Sequence, residues 1–352
     1  MIDGADTLRK LVLHGAGYSG LARLARPLVG GIGAILMLHR VTAAPEKPNG
    51  VNRHLNIAPD FLDALIADMK ANGYEFVTLD EALARLAQGR AAWRFATITA
   101  DDAYRDNLTE ALPVLEKHEA PITIYVAPGL IDGAVDLWWE VAEDIVNARD
   151  TLVMDTASGP LMLDCSTVAK RIEANARLQH FLTIEVRETD QHAVLGDLAR
   201  ACGVDPRAPS RETLMNWGEI EKAATHPLVT IGAHTVRHYS LKRLDEETAR
   251  REIIEAGRVL EDRLGTRPRH MAYPYGYASA VGAREVELAK AAGYVSAVTT
   301  RHGVLQAEHA GHLHALPRIS VNGRYQRLVY LRTMLSGITT PLANAGKRVV
   351  TV

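Results

Sequence analysis

The chain has 352 residues, 47% of them hydrophobic and 23% charged. That is enough apolar material for one large or two ordinary globular domains, and it excludes collagen-like, disulfide-scaffold and wholly disordered chains. Forty Lys and Arg against 42 Asp and Glu leave a formal charge of -2, so no nucleic-acid partner is expected for the molecule as a whole.

The charge is unevenly spread. Residues 1–45 hold five basic and two acidic side chains, and residues 309–352 hold six basic and none acidic, which leaves the middle acidic. No acid occurs between Asp6 and Glu46, where Leu8, Leu11, Val12, Leu21, Leu24 and Leu28 are interleaved with Arg9, Lys10, Arg23 and Arg26. This is the pattern of a helix lying on a membrane surface, so residues 1–33 are expected to form a basic amphipathic segment touching anionic lipid. A solvated basic surface is the alternative. Gly15-Ala16-Gly17-Tyr18-Ser19-Gly20 has dinucleotide-loop spacing, but Leu11–Leu13 is a meagre preceding strand and no acid follows at the required distance. No dinucleotide is expected. Pro27–Leu38 is too short and Gly-rich to span a bilayer and lacks a small-residue cleavage site, so neither a transmembrane span nor a cleaved signal is expected.

From residue 34 apolar, β-branched runs alternate with helical patterns, as in β/α units. Strands are expected at Ala34–His39, Phe76–Leu79, Phe95–Thr99, Ile122–Ala127, Leu228–Ala233, His270–Tyr273, Val295–Thr299 and Leu316–Val321. Helices are expected at Pro59–Asn72, Asn107–His118, Asp245–Leu264 and Ala283–Ala292. Seven or eight such units over residues 34–322 favour a barrel over an open sheet. Residues 133–211 break the rhythm. They read as a mainly polar, helical insertion with a strand-like Leu161-Met162-Leu163. At its start lie Trp138 and Trp139, which can stack on sugar rings or merely anchor the insertion. Cys165 and Cys202, too few for a disulfide framework and without metal-ligand spacing, read as inert core thiols in a cytoplasmic protein. Residues 323–352 form a second basic segment, in which Arg324, Arg327 and Arg332 repeat the N-terminal theme.

His234 and His238 follow an apolar strand, and at four residues' spacing on a helical turn both rings could meet one divalent cation. Asp101 and Asp102 end another strand. Adjacent acids commonly cap a helix, but they also point apart, so one could bind a metal while the other holds a water beside it. His39 and Tyr275 likewise end strands, although a lone His there is commonly just a hydrogen-bonded structural residue. In a β/α barrel those strand ends form one rim, where active sites are built. Two His and one carboxylate leave a zinc-type ion with open positions, as in catalytic sites.

Thr99-Ala100-Asp101-Asp102-Ala103, His234-Thr235-Val236-Arg237-His238 and Ala272-Tyr273-Pro274-Tyr275-Gly276 resemble, in order, three motifs of the polysaccharide deacetylases, the NodB-like proteins of carbohydrate esterase family 4. The resemblance runs from about Ile35 to Val321. It implies a distorted (β/α) barrel and metal-dependent removal of acetyl groups from N-acetylated amino sugars of a glycan. It also implies that Asp102, His234 and His238 bind the metal, most readily Zn2+ with Co2+ or Ni2+ as alternatives. Asp101 would be the general base, the Tyr275 N–H an oxyanion donor and His39 the general acid, with His312 and His314 as rivals. Ala100 and Ala103 replace the usual Phe and Gly. Ala272 stands where many members carry an Arg that orients the base, a part that Arg237 or Arg269 could take over. The other readings are hydrolysis of a different N-acyl group, such as formyl, and a non-catalytic carbohydrate-binding barrel.

Overall fold

A computed structural model describes residues 4–89 and 94–352; residues 1–3 of the N-terminal segment and residues 90–93 lie outside the described residues. Seven parallel strands close into a ring: β1 (Gly33–Leu38), β2 (Arg94–Ala100), β3 (Ile122–Val126), β4 (Val229–Ala233), β5 (His270–Ala272), β6 (Ser296–His302) and β7 (Leu316–Ser320). They follow one another around the ring in chain order, and β1 shuts it by pairing with both β2 (Gly33 with Phe95 through Leu38 with Ala100) and β7 (Leu36 with Ile319). The ring is uneven, since β4 and β5 share a single register pair, Met271 with Ala233, and β6 shifts register against β7 between Val298 and His302. This is the distorted (β/α) barrel that the alternating pattern implies. Its strands read as continuous apolar runs because both faces are buried, one by the lumen and one by the outer helices.

The expected helices form with small shifts at their ends, as Pro59–Ala71, Glu246–Leu264 capped by the Asp245 side chain, and Ala283–Ala291. The stretch after residue 107 divides into a π-turn, Asn107–Ala111, and a short α-helix, Leu112–Lys117. One expected strand is corrected. Only Tyr74–Phe76 is extended, paired beside the start of β2 outside the ring, because Thr78 caps a helix from Leu79 by accepting from the Glu81 N–H.

Residues 133–211, between β3 and β4, are less polar inside than their composition suggests. Helices Trp138–Ala148, Val168–His180 and Gln191–Cys202 and an antiparallel hairpin, Thr151–Thr156 with Gly159–Asp164, enclose a core of their own around Val141, Ile145, Leu152, Leu178 and Leu195. Alternation along the hairpin buries Leu152 and Met154 and exposes Val153 and Met162. The first hairpin strand escapes a reading by apolar runs because half of its residues face water. Cys165 is buried in this core and Cys202 packs against it; both are free thiols that burial pushes up in pKa.

Outside the barrel, α1 (Gly4–Tyr18) leans on the helix Leu328–Leu335, and α2 (Leu21–Val29) packs against α1. Leu13 is buried there and its carbonyl accepts from Thr333 Oγ1 at 3.2 Å. At Gly17 a Cβ would come within 2.5 Å of the Val329 side chain, so only glycine permits this approach. The Gly15–Gly20 run is therefore the last turn of α1 and its junction with α2, with Gly20 left-handed at the start of α2. Among the described residues no helix is long and apolar enough to cross a membrane.

Candidate active site

Pleating decides which side chains meet. Ile35, Phe95, Tyr125, Ala272, Val298 and Leu316 cluster inside the ring, and alternate residues continue the same face. Two-residue steps along β1, β2 and β4 bring His39, Asp101 and His234 to the C-terminal mouth of the lumen, where Arg318 of β7 joins them.

Arg318 is buried and donates to Asp101 through both Nη atoms, at 2.7 and 2.8 Å. Its Nε donates to the Thr299 carbonyl at 2.9 Å and its Nη1 also reaches Thr99 Oγ1 at 3.1 Å. Burial alone would raise the pKa of Asp101, but the charge and paired hydrogen bonds of Arg318 outweigh it and hold the carboxyl well below the usual range. Here the sequence expectation is corrected. Neither Arg237 nor Arg269 orients Asp101, for Arg237 is taken by Glu252 and Arg269 by Asp80. The arginine that does so comes from the last strand. A charged residue in the middle of the apolar run Leu316-Pro317-Arg318-Ile319 was the available signal.

Asp102 turns away from that pair because its backbone is left-handed (φ 71°). Its Oδ1 is buried, has no hydrogen-bond partner, and lies 3.6 Å from His234 Nε2 and 3.3 Å from His238 Nε2. Ligand atoms of the three residues fall within 4.8 Å of one another. Two donors of a tetrahedral zinc site, each about 2.0–2.2 Å from the ion, lie roughly 3.4 Å apart, so the set fits a small divalent cation. Burial and the Asp101 charge push the pKa of Asp102 up, while burial pushes both imidazoles down, leaving them in the neutral form that binds metal. His234 Nδ1 is 2.8 Å from the Ala272 carbonyl, which fixes the tautomer with Nε2 free for the cluster.

The two histidines do not sit on a helical turn, contrary to the expectation from their spacing. Residues 234–238 are a loop with Thr235 and His238 both left-handed (φ 57° and 56°). The rings meet at 4.9 Å, edge to face. Buried Glu252 holds this loop: its Oε2 accepts from the N–H groups of Val236 and Arg237 at 3.0 and 2.7 Å, and its Oε1 accepts from the Arg237 side chain. An acid inside the apolar stripe Ala249–Ile253–Ala256–Leu260 was its sequence signal. Glu188, from the insertion, accepts from the Ser240 N–H and from Arg243, bracing the far side of the loop.

Tyr275 is also left-handed (φ 62°), at a turn in which the Gly276 N–H donates to the Pro274 carbonyl. Gly276 has φ 57° and a Cβ there would meet the Thr300 nitrogen, so glycine is required. Trp138 Nε1 donates to Tyr275 Oη at 2.7 Å and Trp139 Nε1 donates to Tyr104 Oη at 3.0 Å. The tryptophan pair thus both anchors the insertion and walls a cleft of about 210 Å³, which is also lined by His39, His54, Asp101, Asp102, His238 and Tyr275. Burial lowers the pKa of His39 to about 4, against an opposing pull from Asp101. His312 and His314 precede β7, at the end of the strand away from this mouth, and His314 Nε2 lies 2.7 Å from the Tyr294 carbonyl.

Residues 191–297 match the sequence profile described as polysaccharide deacetylase, a span that holds His234, His238 and Tyr275. The deacetylase PplD of Streptococcus pyogenes, solved in complex with acetate, aligns with a TM-score of 0.56 at 18% identity, over 86% of this chain and 97% of its own. IcaB of Ammonifex degensii aligns with a TM-score of 0.53 at 17% identity, over 86% and 97%. A polysaccharide deacetylase of Bacillus cereus gives 0.52 at 17% identity, over 86% and 68%. These structures share the fold. Comparison with curated proteins gives no match.

Two predictions follow from the buried charges. Arg318→Met leaves Asp101 buried and unpaired and lowers stability by about 3–5 kcal/mol in urea unfolding, whereas Arg318→Met with Asp101→Leu recovers most of that loss. Between pH 6.5 and about 4 an unfolded His39 binds a proton that the folded one does not, so stability falls as pH drops through that window. His39→Asn reduces the fall by about 3 kcal/mol, read from urea midpoints at pH 7 and pH 4.

Proposed function

On the premise that the chain belongs to the polysaccharide deacetylase family, we propose that it is a metal-dependent amide hydrolase removing acetyl groups from N-acetylated amino sugars of a glycan. The observation that carries this reading is the buried trio Asp102, His234 and His238 beside an Asp101 locked in its charged form. Asp102, His234 and His238 would hold the ion, for which zinc suits the donor set, and which when bound supplies a Lewis acid that polarises a carbonyl and acidifies water.

The remaining steps belong to the chain's own groups. Asp101 orients the attacking water and takes its proton. Its low basicity suits an acidified water and would be wasted on a free one. The Tyr275 N–H, held on its left-handed turn by the Trp138 hydrogen bond to the side chain, donates to the oxygen on which negative charge develops. His39 hands a proton to the departing amine. Burial keeps the free ring neutral, so His39 takes up the proton it donates from cleft water only as negative charge grows beside it during attack, and Asp101 returns the proton it took to solvent after release. The products are acetate and an amine that is protonated in water, so a neutral sugar becomes cationic.

A cleft of about 210 Å³ is smaller than the roughly 300–1,000 Å³ of pockets that engulf a drug-sized ligand. It suits one acylated residue presented between Trp138, Trp139 and Tyr275. Acetyl is favoured over other acyl groups by the acetate bound to the Streptococcus pyogenes deacetylase of the same fold.

The test is metal content and acetate release measured together on a panel of N-acetylated glycans. The native protein should carry near-stoichiometric divalent metal that His234→Ala loses, and Asp101→Asn should keep the metal while acetate release falls by roughly 10²–10⁴-fold. A native protein that is free of metal and stays inactive after zinc, cobalt or nickel is added overturns the proposal. Formate release from an N-formylated amino sugar, with no acetate from the N-acetylated panel, keeps the site and corrects the acyl group.

A further inference from the structure

The densest patch of exposed apolar side chains lies far from the cleft chemistry. Of the sixteen large hydrophobic residues exposed among the described residues, seven fall between Leu8 and Leu28, including Leu24 at 75% and Leu28 at 73% exposure. Leu8, Leu11 and Val12 form one helical stripe of α1, and Leu21, Leu24 and Leu28 form one of α2. Each helix therefore buries its weaker face, through Leu13 and Ala22, and turns its leucines outward. Six such side chains on one face make an apolar patch that gains free energy by being covered, which suits it to an occupant.

The charges around the face select that occupant. Arg23 is exposed and Arg26 half-buried, and neither makes an ion pair among the described residues; Arg26 reaches only the Asn72 carbonyl, at 3.5 Å. Both line a cleft of about 540 Å³ under α2, where the one carboxylate, Asp68, is already taken by Arg332. With no acid from Thr7 to Pro45, a second copy docking here would set arginine against arginine. A bilayer with anionic headgroups offers an apolar interior and negative charge at one surface.

We propose that the outer face of α1 and α2 docks the protein on an anionic lipid bilayer, with the leucines entering the interface and Arg23 and Arg26 contacting lipid phosphates. The arginines of this face lie toward the base of the barrel, since Arg26 reaches the carbonyl of Asn72 at the end of the helix Pro59–Ala71 and α2 leads into the start of β1 at Gly33.

The test is co-sedimentation of the full chain with vesicles of phosphatidylcholine alone and of phosphatidylcholine mixed with phosphatidylglycerol. Binding is expected only to the mixed vesicles and should weaken as salt rises. Arg23→Gln with Arg26→Gln should weaken it about 30-fold, and Leu24→Ser with Leu28→Ser should abolish it. Thermal unfolding should be unchanged in both variants, because the four side chains make few contacts. The proposal is overturned if neither vesicle sediments the protein or if both do so equally. It is also overturned if the leucine variant dissolves a dimer seen by sedimentation velocity, which would give the face to a second copy.

Discussion

The paired hydrogen bonds between Arg318 and Asp101 are the constraint around which the site is arranged. They lie inside the lumen, where three strands of the ring contribute atoms: Thr99 and Asp101 at the end of β2, Thr299 on β6 and Arg318 on β7. Once Asp101 is neutralised by Arg318, the charge beside it cannot be. Asp102 is buried with two imidazoles that burial keeps neutral, so the cluster is one positive charge short when Asp102 is ionised. A buried carboxylate without a counter-charge is costly by several kcal/mol, a cost that a divalent cation, if held by Asp102, His234 and His238, would remove. The same two adjacent acids thus stand in different electrostatic environments because one guanidinium reaches only the first.

Backbone strain separates them. Asp102, Ala103, Thr235, His238 and Tyr275 are five of the seven non-glycine residues with positive φ among the described residues, and all lie at this mouth. Each costs about 1–2 kcal/mol relative to ordinary backbone. The surroundings offset it: Glu252 ties down the histidine loop, Trp138 holds Tyr275, and the Gly276 turn closes on Thr300. Ala103 is informative here. The resembled motif carries glycine at that place, and alanine accepts the same left-handed backbone with a methyl group buried in the barrel core.

The barrel was legible because parallel strands covered on both faces write themselves as unbroken apolar runs, and because the motif residues stand at the ends of those runs. Geometry that depends on left-handed residues was not legible, since spacing alone makes His234 and His238 look like neighbours on a helix. Arg318 and Glu252 were missed for a related reason. Each is a lone charge in an apolar stripe about 217 and 15 residues from what it holds, and only the fold supplies the partner. The insertion was read as polar because its helices and hairpin each show half their residues to water, which dilutes the apolar signal in any window.

The ring closes between its first and last strands, β1 with β7, and that closure has a bearing on how the protein is made. Pairing Leu36 with Ile319 joins positions separated by nearly the whole barrel sequence, the kind of non-local contact that forms late and slowly. Arg318 emerges from the ribosome after every other residue of the site has been synthesised. A nascent chain therefore holds Asp101, Asp102 and both histidines without the guanidinium that sets them apart, and the buried cluster is assembled only when the last strand closes the ring.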